Sequence, residues 1–421
     1  MGAGKMAKSG VNNTLLKQRN RGLILKLIAT GQCSSRIELS QKTGLAKMTV
    51  TYIVNEFLER GIFEERQKVQ VEGKGRNPVQ LCISDKAPKL IGVHLYREIC
   101  SVILCDIQLK LLKKICFPVT EETAPQLMEH IFHALDQIME TLGDEKIYGI
   151  GIGAIGPVDK NRGKILAPPN FYGLHDLEIA REIEEHCHMP VFFDGESNCA
   201  AIMEKYYGAG TDCEDFIYVD LANGVGSGLV VNGELYANTS GMICELGHTS
   251  IDWQGEPCSC GNRGCLERYI SSNVLESQLQ KVTGDMKDFR GFCQEMDEAI
   301  KEGEGNTFTK RQQDMDRVFT EMTEKLSCAL VGFVNSLNPQ KIIIGHEGYW
   351  IPDPYLCKIE KLVNERHIER KYRQIQVVKS GFKDEATVYG CTGALLTAVF
   401  EGSFFAVSYT HLRAHETSAH L

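Results

Sequence analysis

The chain contains no uninterrupted apolar run of the ~18 residues needed to cross a bilayer. Its opening residues, MGAGKMAKSG, lack the apolar core of a secretory leader. Proline, at 12 of 421 residues, is too sparse for a proline-rich or collagen-like polymer. From these absences neither a helical membrane protein nor a secreted one is expected, and a cytoplasmic location with no membrane partner is the default expectation. Cysteine is not lacking: there are 16. In a long chain without a leader they are expected as reduced thiols, most of them small apolar core residues. The rest of the composition, 43% hydrophobic and 24% charged, is that of a globular protein long enough for two or three cored domains.

The net charge of -9 conceals an asymmetry. Residues 1–80 carry 14 Lys and Arg against 6 Asp and Glu, a net of +8, while the remainder carries 32 against 49, a net of -17. A basic head on an acidic body suits phosphate binding; a solvated basic face is the simpler alternative.

The head has a pattern that favours the first reading. Residues 14–30 read as a helix in which Leu23 and Leu27, and Ile24 and Ile28, repeat at i, i+4 up to Gly31. Ser35 and Glu38 have capping-box spacing and open a short helix to about Lys42. After the Thr43-Gly44 turn, a third helix over Lys47 to Arg60 carries an apolar stripe of Val50, Ile53, Val54, Phe57 and Leu58. That arrangement is helix-turn-helix, with Arg36, Lys47, Thr49, Thr51 and Tyr52 as candidate contacts to double-stranded DNA. Two strand-like runs around Gly73-Lys74-Gly75-Arg76 form a wing whose Lys74 and Arg76 would reach the backbone or minor groove. A small three-helix domain for protein contacts is the alternative.

The strongest chemical motif is His248 followed by Cys258-Ser-Cys260-Gly-Asn-Arg-Gly-Cys265-Leu-Glu267. Cys-x-Cys lets two thiolates converge, and Gly261 and Gly264 let the backbone fold back to bring in Cys265. With His248 this is a Cys3His set for a structural, tetrahedral Zn²⁺ with no open position.

In this order, TGLAKMTVTYIVNEFLERGIFEE with GKGRNPVQL, GIGAIGPVD (151–159), PPNFYG (168–173), CELGH (244–248) and CSCGNRGCLE (258–267) resemble the ROK family (repressor, open reading frame, kinase). The resemblance covers Asn12 to about Phe400. It implies a winged helix-turn-helix head followed by a two-lobed, actin-like α/β domain of sugar-kinase type. The strands expected in 89–106, 147–156 and 216–231, and helices in 125–142 and 315–337, agree with α/β layers. The expected boundaries are a disordered start at 1–11, the head at 12–85, a first lobe at 88–198 with 386–401, and a second lobe with the zinc site at 199–385. A tail at 403–421 is expected to be disordered, and its SYTHLRAHET reads as translated adapter sequence rather than natural protein.

The resemblance further implies that Glu196, Glu245, His248 and Glu267 hold sugar hydroxyls. Carboxylates accept such bonds in bidentate fashion, and His248 would couple metal and cleft. Family kinases open the first lobe with Asp-x-Gly-Gly-Thr; this chain has His94-Leu95-Tyr96-Arg97-Glu98 there. The kinase base, an Asp in Asn-Asp-x-Asn, is replaced by Glu196 in Gly195-Glu196-Ser197-Asn198. A second glycine-rich turn survives at Asn223–Gly228, whereas the later nucleotide segment is reduced to Ile344-Gly345-His346-Glu347. The expected function is therefore a regulator of carbohydrate genes that responds to a sugar or sugar phosphate. It would act as a homodimer or homotetramer, with no catalytic residue at work. The alternatives are an ATP-dependent sugar kinase with an accessory head and a sensor released from DNA by a protein partner.

Overall fold

The computed structural model describes residues 13–67, 79–143, 145–169, 171–236, 244–302 and 308–404. Lys74 and Arg76, the expected start 1–11, and the tail from 405 onward lie outside them. No described helix is long and apolar enough to cross a membrane.

The head begins with α1 (Asn13–Ala29), which buries Ile24, Leu25, Leu27 and Ile28. Leu23, expected on this stripe, is 37% exposed, and Leu25 is buried in its stead. The reason is that α1 is covered from two sides, by the rest of the head and by the last helix of the body, so its buried arc is wider than one i, i+4 stripe. In α2 (Arg36–Thr43) Ser35 caps Glu38 N, but the Glu38 carboxylate returns to Ser34 N at 2.6 Å, so only half of the expected box forms. The αL residue Gly44 ends the helix, donating to the Ser40 carbonyl. Helix α3 (Lys47–Glu59) buries Val50, Ile53, Val54 and Phe57, leaving Leu58 half-buried. Strands β1 (Phe63–Gln67) and β2 (Val79–Ile83) pair antiparallel behind it.

The body repeats one plan twice. In the first lobe β3 (Lys89–Leu95), β4 (Ile99–Cys105) and β5 (Leu111–Pro118) form an antiparallel meander. Helix α4 (Ala124–Leu142) then leads to β6 (Ile147–Ala154), and the small β7 (Val158–Asp159) and β8 (Lys164–Ile165) precede α5 (Ile179–Cys187) and β9 (Val191–Gly195). The sheet order is β5-β4-β3-β6-β9, with β6 and β9 parallel to β3. Helix α6 (Glu196–Tyr207) crosses to the second lobe, so the expected boundary at 198 falls inside a helix.

The second lobe has β10 (Phe216–Leu221), β11 (Val225–Val231) and β12 (Glu234–Leu235), then α7 (Glu267–Ile270), α8 (Ser272–Thr283), α9 (Phe289–Glu302) and α10 (Lys310–Leu337). Strand β13 (Lys341–His346), α11 (Asp353–Arg366) and β14 (Gln376–Lys379) complete it. Its order, β12-β11-β10-β13-β14, has the same pairing senses as the first sheet. The chain returns through α12 (Ala386–Gly390) and α13 (Gly393–Phe400) to pack on the first sheet.

Each lobe has its own core, but the head does not stand apart. One apolar cluster runs from Ile24, Phe57 and Leu81 of the head to Tyr148, Ile202 and Leu396 of the body. Lys26 of α1 stands over the Tyr206 ring at the end of α6, 4.5 Å from its centroid. Ordered chain also reaches past the expected boundary at 402, because the Phe404 ring packs edge-on against buried Tyr148 at 4.7 Å.

Candidate effector cleft and metal centre

The repeated plan brings two equivalent hairpin turns, 96–98 after β3 and 222–224 after β10, to the mouth between the lobes. A cleft of about 270 Å³ opens there, lined by Glu196, Glu245, His248 and Glu267 among others. The sequence-expected acceptors are thus brought together. Glu196 is the first residue of α6, Glu245 precedes the short turn Leu246–His248 that His248 ends, and Glu267 opens α7. Glu267 accepts from Val225 N at 3.3 Å, which fixes one carboxylate oxygen and leaves the other for a ligand. Burial pushes the Glu245 carboxyl above its usual range; His248 works against that shift and Glu267 and Glu196 add to it.

Beside this end of the cleft His248, Cys258, Cys260 and Cys265 converge, with their four ligand atoms within 4.8 Å of one another. Cys260 Sγ lies 3.6 Å from Cys265 Sγ, and Cys258 Sγ lies 3.6 Å from His248 Nδ1. A tetrahedral ion with bonds of about 2.0–2.3 Å would separate its ligands by roughly 3.5–3.8 Å, so the spacing fits a metal. The turn Cys258–Gly261, closed by Gly261 N donating to the Cys258 carbonyl, sets two of the sulfurs. With Nδ1 of His248 on the metal side, its Nε2 is the nitrogen left for the cleft.

The opposite end is closed by side chains. Tyr96, in the first hairpin turn, is 8% exposed. Its ring stacks on His94, with centroids 6.2 Å apart, and meets His346 edge-on at 5.3 Å. His346 Nδ1 lies 2.8 Å from Asp220 Oδ1, and Ser197 donates to the other Asp220 oxygen at 3.0 Å. Burial opposes charge on His346, but the Asp220 carboxylate overrides it and raises the imidazole to about 9. His94 Nε2 stands 3.5 Å from Glu196 Oε2, and among the described residues neither atom has a hydrogen-bond partner.

Two of the surviving glycines serve packing. A Cβ on Gly226 would come within 2.2 Å of Ser197 Oγ, so this glycine lets α6 lie on β11. One on Gly345 would meet the Tyr218 hydroxyl at 2.2 Å.

In the head, Lys47, Thr51 and Tyr52 are exposed on α3, Tyr52 at 66%. Thr49 is half-buried. Arg36 is held by Glu65 at 2.5 Å and by Asn55 at 3.0 Å, so it braces α2 against β1 and α3. Sequence reasoning missed Met48, 86% exposed, and Asn55, both of which share the open face. It also missed Asp220 and His346 as a pair. An acid inside the apolar run FIYVDL was the available signal.

Comparison with known proteins follows the same lines. The ROK family model matches residues 90–397. A xylose repressor of Bacillus subtilis is 35% identical over 273 residues, 64% of this chain and 70% of that protein. A xylose repressor of Caldicellulosiruptor bescii is 28% identical over 92% of this chain and 97% of its own. The DNA-binding transcriptional dual regulator NagC of Escherichia coli is 28% identical over 96% and 98%. Among solved structures, a ROK family transcriptional regulator homologous to the E. coli MLC protein superposes with a TM-score of 0.76 at 24% identity, over 93% of this chain and 98% of that one. A ROK glucokinase from Streptomyces griseus gives 0.61 at 23% identity over 72% and 97%, its likeness confined to the shared fold. With a family match over most of its length, a paired-lobe body and these relatives, the chain belongs to the ROK family.

Proposed function

We propose that the protein is a sugar-responsive transcriptional repressor of carbohydrate genes, with a winged helix-turn-helix head and a body that binds sugar without phosphorylating it. The observation that carries this reading is the contrast within one cleft: acceptors line open space at one end, while Tyr96, His94 and His346 occupy the phosphate end. Phosphoryl transfer depends on a backbone cradle and on closely positioned charge, and the first loop carries bulky side chains where family kinases have the glycines that let the backbone near phosphate.

The head would read an operator through Lys47, Thr51 and Tyr52, with Met48 and Asn55 beside them and Thr49 in a lesser role. Lys74 and Arg76 would add phosphate contacts. Two half-sites call for a homodimer or a homotetramer. Zn²⁺ suits the Cys3His set in a structural role; bound, it would tie His248 to the knuckle that carries Glu267. The relatives' names favour a pentose or an amino sugar as effector.

The test is operator release under a screen of xylose, glucose, N-acetylglucosamine and their phosphates, with ADP release followed in parallel. Release by a sugar at background ADP production is expected. Sugar-dependent ADP production at enzymatic rates would overturn the reading.

A further inference from the structure

The first hairpin turn sends a cation towards the second. A Cβ on Gly224 would stand 3.7 and 3.8 Å from Nη1 and Nη2 of Arg97, and 2.9 Å from Oε2 of Glu267. A side chain at 224 would therefore intrude between a guanidinium of the first lobe and a carboxylate of the second. Arg97 is aimed by its Nε, which donates to the Pro169 carbonyl at 3.1 Å, and lies 5.9 Å from the Tyr96 ring centroid. Among the described residues neither of its terminal nitrogens has a hydrogen-bond or ion-pair partner. The same Oε2 of Glu267 accepts from Val225 N at 3.3 Å. The guanidinium and the carboxylate thus both approach the Gly224 position at the cleft mouth, without an ion pair between them.

These are the two turns at which phosphate loops are expected from the family resemblance. A nucleotide there would link the lobes by charge. We propose that Arg97 supplies that link: with a sugar seated on Glu245, Glu267 and His248, the guanidinium closes onto the Glu267 carboxylate and the hydroxyl it holds, so that lobe closure needs the sugar alone. Arginine suits the task because its planar fork makes two parallel bonds to a carboxylate and its charge is permanent. The bridge rests on the sugar-binding reading above and adds to it the residue that converts occupancy into movement.

The experiment compares the full-length zinc protein with Arg97→Gln, Arg97→Lys, Glu267→Gln and the Arg97→Gln/Glu267→Gln pair. Sugar affinity is measured by calorimetry with xylose, glucose and N-acetylglucosamine, and compaction by small-angle scattering, each with and without Mg-ATP. Zinc content and melting temperature control for folding. In the wild type a sugar alone should compact the protein, with no further change on adding Mg-ATP. Arg97→Gln should lose compaction and about tenfold in affinity, and Arg97→Lys should recover only part. The double variant should bind no more weakly than Glu267→Gln, because the coupled contact is already gone. Compaction and affinity of wild-type size in Arg97→Gln would overturn the bridge, as would additive losses in the double variant or a wild type that compacts only with Mg-ATP. If the wild type bound none of the sugars, the sugar-binding reading itself would fall, and the bridge with it.

Discussion

At one end of the cleft Glu245, Glu267 and His248 line open space next to a metal-ligand cluster; at the other, the rings of Tyr96 and His346 meet edge-on and His346 pairs with Asp220. The two ends lie on one scaffold of paired sheets, yet they answer to different physical demands. Gripping a polyol needs hydrogen-bond acceptors around a cavity of the right size. Phosphoryl transfer also needs backbone amides close to phosphate and a base placed to within about 1 Å. One end can therefore change while the other is kept.

The largest effect expected from breaking this contrast comes from the metal. Cys260→Ser removes an exposed ligand without disturbing the core, so zinc should fall from one per chain to near none. Sugar binding should weaken by 10- to 100-fold or more, on the order seen when metal-site geometry is lost. Metal analysis alongside calorimetry checks both, and a metal-free wild type of full stability would contradict the structural role.

Next in size is Glu245→Gln, which keeps the shape and removes a charged acceptor. Hydrogen bonds to charged groups are worth about 1.5–3 kcal/mol, so sugar affinity should drop roughly 10- to 100-fold with little change in melting temperature. Unchanged affinity would mean that the effector binds elsewhere.

The closed end should show itself through pH. His346 is raised from an ordinary value of 6.5 to about 9. Its native state therefore holds a proton that the unfolded chain releases. The stabilisation is fully present below about pH 6.5 and is lost as pH rises through about 9, on the order of 3 kcal/mol. Melting temperature should fall between pH 7 and 9.5 in the wild type, and His346→Gln should flatten that slope.

The smallest functional effect is expected from Tyr96→Gly. It should lower stability through a lost aromatic contact, yet ADP release should stay at background, because by the family resemblance His94 still stands in place of the first Asp of Asp-x-Gly-Gly-Thr. Appearance of turnover would show that Tyr96 alone blocks an otherwise intact enzyme.

Much of this was legible before the structure. The Cys3His set, the α3 stripe and the hairpin after β3 follow from spacing and periodicity, which are local. The capping partner of Glu38, the burial of Leu25 in place of Leu23 and the bracing of Arg36 were not, because each depends on what packs against the element from outside. The Asp220–His346 pair escaped for the same reason: its members are 126 residues apart and meet only because β10 and β13 are neighbours. Equally hidden was the duplication of the two sheets, since matching topology leaves no sequence period to find. The glycines of 224–228 were legible as residues but ambiguous in purpose, and the packing of Ser197 on Gly226 shows what one of them is for.

The most direct measurement is calorimetric titration of the zinc-loaded protein with xylose, glucose and N-acetylglucosamine, with and without Mg-ATP, with sugar phosphate formation followed in the same samples. One sugar per chain, an affinity unaltered by Mg-ATP and no phosphorylated product is the expected result. Steady ATP-dependent formation of sugar phosphate would contradict a cleft that binds without catalysing.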